Sequence, residues 1–202
     1  MNAGGYTIEV SKSKYITAYF NVNVCGNLTN QNTNISEELS SGSMRIVVSW
    51  PQSSTVSDLD SHLTGPDNAS GRFHVYFDNK KNFYYAKNDY ACSGCSDSQL
   101  SDNVTLDLDD EDAPGTETTT ITKVREGTYR FYVHEYYGNS SSTGISTSGA
   151  SVVVYYDNSS TTFNVPNSAG DLWSVFTFTL ENNIGLTGSD NMTAYINANA
   201  IE

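Results

Sequence analysis

Short runs in which apolar and polar residues alternate with a period of two fill most of this chain, and that pattern excludes most folds other than packed β-sheets. It marks strands at Tyr6–Val10, Tyr15–Val22, Met44–Trp50, Asp58–Leu63, Arg72–Phe77, Val104–Asp109, Thr119–Val124, Thr128–Tyr136, Ala150–Tyr156, Thr161–Val165 and Leu172–Leu180. Turn-forming clusters separate them: Gly65-Pro66-Asp67-Asn68, Ala113-Pro114-Gly115, Glu126-Gly127, Asp157-Asn158 and Pro166-Asn167. No amphipathic helix of useful length interrupts the series. Strands of this kind hide their apolar sides only by packing face to face, so the expectation is an all-β, antiparallel sandwich, immunoglobulin-like or jelly-roll-like.

The 202 residues divide unevenly. Residues 27–43 are Asn/Ser-rich, with Glu37-Glu38 and few apolar side chains, and read as a long loop between an N-terminal strand segment (1–26) and the main sandwich (44–202). Two strands alone are marginal in water, so the segment is expected to join the main body or to be donated to a neighbouring copy. A second interruption, Asn79–Asp102, carries Lys80-Lys81, Tyr84-Tyr85 and a pair of cysteines, and reads as a structured loop.

Composition narrows the function. The net charge of −13 repels phosphate backbones and anionic bilayers, which excludes nucleic acid as an expected partner and leaves cations as the natural counter-charge. No window is apolar for long enough to span a membrane, and the opening MNAGGYTIEV has neither the basic nor the apolar part of a signal peptide, as expected of a mature or truncated chain. Asn-x-Ser/Thr triplets at Asn27, Asn34, Asn68, Asn103, Asn139, Asn158 and Asn191 are candidate glycan acceptors, which points outside the cell. Cys92-Ser93-Gly94-Cys95 has neither a long helix nor a second C-x-x-C beside it. A loop disulfide is therefore expected, Cys92–Cys95 or one of the two to Cys25.

Candidate ligands come from the polar phase of the strands. In Asp58–Leu63 the pleat puts Leu59, Ser61 and Leu63 on one face and Asp58, Asp60 and His62 on the other. His74, the pair Asp107/Asp109 and His134 occupy the same non-core phase in their strands, with Leu106 and Leu108 opposed to the two aspartates. If these strands are neighbours, Asp60, His62, His74, Asp107, Asp109 and His134 share one polar face. Mixed Asp/His ligation suits zinc, whereas the oxygen-only run Asp107–Asp112, with Glu117 beyond the turn, suits calcium. Without a metal the face is expected to be solvated, with carboxylates raising the histidine pKa values. No G-x-S-x-G, H-E-x-x-H, P-loop or dinucleotide motif occurs, so catalysis is not expected.

The series Met44–Trp50, Ser57-Asp58-Leu59-Asp60-Ser61-His62-Leu63-Thr64-Gly65-Pro66, Arg72–Phe77, Leu106–Asp110, Gly127–His134, Ser148-Gly149-Ala150, Phe163–Pro166 and Trp173–Phe176 resembles, in order over about residues 44–180, a β-sandwich domain of secreted bacterial proteins related to the YfaP-like group. Ala113–Glu117 stands where that family has a Gly-Tyr-Gly-Pro-Glu-type turn. Members sit beside immunoglobulin-like or carboxypeptidase-regulatory-like modules at the cell surface, so the resemblance implies an extracellular, non-catalytic role. The expected function is a structural module of a cell-surface or fibre-forming glycoprotein, with its own copies or other surface proteins as partners. The alternative is a cation-assisted carbohydrate-binding or adhesin module that stacks glycans on Tyr84, Tyr85, Tyr136 or Tyr137.

Overall fold

The computed structural model describes residues 2–26, 35–51, 55–86, 92–139, 142–157, 159–180 and 186–193, with side chains undescribed at 18–23 and 186–193. The N-terminal strands β1 (Gly4–Val10) and β2 (Ala18–Val24) pair only with each other. Then follow β3 (Met44–Trp50), β4 (Leu59–Pro66), β5 (Arg72–Val75), β6 (Lys81–Phe83), the single-turn helix α1 (Asp97–Leu100), β7 (Asn103–Leu108), β8 (Gly115–Ile121) and β9 (Gly127–Glu135). A second short helix, α2 (Gly144–Ser148), precedes β10 (Ser151–Tyr156), β11 (Ser159–Asn164), β12 (Leu172–Leu180) and β13 (Leu186–Thr193).

The main body has two sheets, ordered β11-β10-β3-β8-β7-β6 and β13-β12-β9-β4-β5. All their pairings are antiparallel. This is the expected all-β sandwich, and its core lies where the pleat arithmetic puts it. Ile46 and Val48 of β3, Leu59 and Leu63 of β4, Phe131 and Val133 of β9, Val152 of β10 and Phe176 of β12 are buried in one hydrophobic cluster. Each large apolar side chain hidden there contributes roughly 1.5–3 kcal/mol to the folded state.

Three features depart from the reading of the sequence. Part of the interruption at Asn79–Asp102 is a strand, since β6 pairs with β7 and extends the six-stranded sheet. The first turn of the Gly65–Asn68 cluster comes later, because Gly65 and Pro66 still pair with β5 and the chain reverses at Asp67–Gly71. The N-terminal strands form a hairpin of their own and extend neither main sheet. It is tied down at its loop, where Ile16 N–H donates to Ser36 O (2.8 Å) and Glu38 N–H to Lys14 O (2.9 Å). Ser36 is in turn held by the Arg45 guanidinium of β3 at 3.0 Å.

The strand order brings the polar residues together. β4 lies between β9 and β5, but β5 pairs only with Leu63–Pro66, so the first half of β4 keeps one edge free of strand partners. Beyond β5 the chain crosses into the other sheet through a tight turn, closed by Tyr76 N–H to Asn79 O (3.1 Å) and Asn79 N–H to Tyr76 O (3.0 Å).

Candidate functional site

The outer face of β4 carries Asp60, His62 and Thr64, and the register puts His134 of β9 opposite Asp60 and His74 of β5 opposite Thr64. Alternation predicts this grouping for strands that are neighbours, as these are, but the face is not solvated. His62 is fully buried, and Asp60, Thr64 and His134 are nearly so. The cover is aromatic: Tyr76 stacks on His62 at 5.4 Å between ring centroids and on His74 at 4.4 Å. His62 and His134 meet edge to face at 5.8 Å. The His62 Nδ1 and His74 Nε2 atoms share a hydrogen bond at 3.0 Å.

Burial reverses the expected histidine electrostatics. Desolvation, with smaller contributions from His74 and His134, pushes His62 well below its ordinary value. Burial takes His74 down to about 4. At these two rings the loss of water around an imidazolium dominates, where the sequence led to the expectation of raised values from carboxylates.

The consequence for stability has a definite sign. Above pH 6.5 His74 is neutral in both folded and unfolded chains, below about 4 it is protonated in both, and between these values the unfolded chain alone takes up the proton. Its contribution is therefore present above pH 6.5 and lost as the pH falls to 4. His62, Tyr76 and, across Thr64, Arg72 are the titratable groups around it. The gap in unfolding free energy between the wild type and His74→Gln is expected to shrink by about 1–2 kcal/mol from pH 7 to pH 4, allowing for the partial exposure of the ring. Urea titrations at the two pH values measure it, and an unchanged gap would show that the ring titrates as if in water.

On the other side of Asp60 is a second, acidic half of the cluster. Asp60 Oδ2 stands 3.5 Å from His134 Nδ1, beyond a good hydrogen bond. One carboxylate oxygen each of Asp60, Asp109 and Glu117 lies within 4.8 Å of the others. Glu117 comes from β8 in the opposite sheet and reaches the free edge of β4, where its Oε2 accepts the Ser61 N–H at 2.6 Å. Lys80 Nζ donates to Asp109 Oδ2 at 2.6 Å. Burial pushes Glu117 up to about 10, with Ser61 opposing the shift and Asp109 and Asp60 adding to it. Burial also raises Asp60, against the His134 contact, and takes Asp58 up to about 7 with the help of Asp60, Glu111, Asp109 and Asp112.

Of the six ligand candidates, five are thus contiguous: His74, His62, His134, Asp60 and Asp109. Asp107 is not among them, and Leu108 does not share the core with Leu106. A register shift in β7 puts Leu106 opposite Thr119 but Leu108 opposite Thr118, so the strict alternation ends there. Leu108 is consequently 47% exposed, Asp107 faces solvent, and Asp109 turns inward. The sequence reading grouped Glu117 with the acidic run rather than with Asp60. Its signal was phase, because Glu117, Thr119 and Ile121 alternate in step and Ile121 is core.

Cys92 and Cys95 form the disulfide, and Cys25 is a free, exposed thiol. Among the glycan candidates, Asn68 and Asn139 are exposed. Asn103 uses its carboxamide locally, donating to Leu100 O at 2.7 Å and accepting from Thr105 Oγ1 at 2.8 Å. Asn27, Asn34 and Asn158 lie outside the described residues, as does the side chain of Asn191.

Fold and site together define a two-sheet β-sandwich with a largely buried histidine and carboxylate cluster at the joint between its sheets. No protein-family pattern matches the sequence, and no curated protein matches it either. Among solved structures the chain is similar to that described as "Crystal structure of unknown function protein SAV2460", with 14% identity and a TM-score of 0.47 over 74% of this chain and 91% of that one.

Proposed function

We propose that the chain is a non-catalytic structural module of an extracellular, cell-surface or fibre-forming glycoprotein. The observation that carries this reading is the closure of the cluster: His62 is 0% and Glu117 1% exposed, so the groups best suited to acid–base chemistry are out of reach of a substrate. Two cavities, one of about 10 Å³ by Tyr84 and Arg125 and one of about 280 Å³ by Leu39 and Asp157, are lined by other residues. The cluster is suited to hold the sandwich together. Exposed acceptors at Asn68 and Asn139, the acidic surface and the resemblance of residues 44–180 to secreted sandwich domains agree with a place outside the cell. Among the described residues no helix is long and apolar enough to cross a membrane.

The partners are further copies of the chain or other surface proteins, engaged through the β1–β2 hairpin, which pairs with neither main sheet and so can add to a sheet edge elsewhere. Native mass spectrometry of the protein from its source, beside a variant lacking residues 1–26, tests the reading. Glycan mass and multiple subunits in the full chain, with monomers after truncation, are the expected spectra. An unmodified monomer in both would discard the proposal.

The carbohydrate-binding alternative is favoured by one observation. Tyr85, Tyr136 and Tyr137 are 44%, 45% and 76% exposed, and each belongs to an edge-to-face pair, Tyr84–Tyr85 or Tyr136–Tyr137. Such rings are available for stacking on a sugar. A glycan array with bound spots that vanish in Tyr137→Ala would favour it over the structural reading.

A further inference from the structure

We propose that Asp60, Asp109 and Glu117 form a calcium site that pins the two sheets together where β5 crosses to β6. This goes beyond the structural-module reading and stands or falls separately from it. The three carboxylates converge to within 4.8 Å from different parts of the chain. Carboxyl groups held this close offer several oxygens at once to a divalent cation.

A second observation points to the same place. Among the described residues Glu117 Oε1 is buried without a hydrogen-bond partner, on a residue only 1% exposed, and Asp60 Oδ2, on a residue 4% exposed, has only the long 3.5 Å contact to His134 Nδ1. Buried carboxylate oxygens short of donors are costly, and both belong to the triad. A bound cation would satisfy the two carboxylates together.

The donor set selects the ion. Every group is an oxygen, which suits a hard cation, and the three negative charges equal those of one divalent ion plus the Lys80 ammonium already seated on Asp109. Calcium fits better than magnesium because carboxylates on separate strands and a loop can supply irregular, high coordination, completed by water at the outer side. There the Asp109 side chain is 12% exposed and Lys80 53%, which leaves an entry path. The histidines are a poorer zinc site: His62 and His74 are hydrogen-bonded to each other through one ring nitrogen each.

The site bridges elements the backbone leaves unpaired. Asp60 lies on the strand edge that β5 does not reach, and Glu117 and Asp109 belong to the opposite sheet and the loop leaving it. A calcium ion would supply there the cross-link that the hydrogen-bond ladder lacks.

The test is thermal unfolding of the chelator-treated full chain, with calcium, magnesium or zinc chloride added back. Calcium at about a hundredfold excess over its Kd is expected to raise Tm by roughly 5–10 °C, with smaller rises for magnesium and zinc. In Glu117→Gln the calcium shift is expected to vanish while the metal-free Tm stays close to that of the wild type, because the amide keeps the shape of the carboxyl group and removes only a cation ligand. Asp109→Asn, at the outer edge of the site, provides the same comparison should Glu117→Gln fail to fold. No calcium shift in the wild type, a shift that survives both substitutions, or a larger shift with zinc than with calcium would each overturn the site.

Discussion

Phe131→Ala is expected to lower the unfolding free energy by about 3–5 kcal/mol, the usual range for emptying a fully buried aromatic position. Phe131 is 0% exposed, at the centre of β9, and faces Leu63 on one neighbouring strand and Phe176 on the other. Its ring stacks on Phe176 at 5.4 Å, and Phe176 stacks on Phe163 at 5.5 Å. Phe163 belongs to β11 in the other sheet, so the three rings form a column across the sandwich. Rigid sheets on both sides leave little room for the gap to collapse, which places the cost near the upper end. Equilibrium urea unfolding gives the number, and the melting point should fall by roughly 10 °C. A loss below about 1 kcal/mol would mean that the column is not packed as described.

Gly115→Ala is the second large effect, and it acts by crowding. The Cβ it adds would overlap the indole of Trp50, which is opposite in the register of β3 and β8, and would stand 2.6 Å from the backbone oxygen of Asp112. Trp50 is 2% exposed and its Nε1–H reaches Ser57 O at 3.4 Å, so turning the indole aside gives up both packing and that contact. A backbone carbonyl cannot turn aside. The expected cost is about 3 kcal/mol, at the high end for overpacking. The strain falls on the loop between Asp109 and Glu117, so the calcium response of the melting temperature should shrink as well. Calorimetry with and without calcium measures both. An alanine variant as stable as the wild type would show that the loop has slack.

Much of the fold was legible because the signal is local. Met44–Trp50, Ala150–Tyr156 and Leu172–Leu180 read as strands from alternation alone and are strands, within a residue at their ends. The turn at Asp67 was misplaced because Pro66 usually marks a break, yet at the end of β4 it is tolerated in the pairing with Arg72. The strand β6 was missed because Lys81-Asn82-Phe83 is too short to show a period, and its pairing with Val104 forms it.

The cluster divides along the same line. From the order of residues alone one obtains the side of the pleat each group takes, because pleating depends only on neighbours along the chain; Asp60, His62, His74 and His134 share a face because β5, β4 and β9 then lie side by side. Tertiary structure decided that this face is covered, that a register shift turns Asp109 inward and leaves Asp107 outside, and that Glu117 bonds the amide of Ser61, 56 positions away. Those outcomes depend on which strands lie side by side and where their pairing stops. Closing long loops and burying surface fix such matters together, over the whole chain at once, so no single stretch of sequence records them.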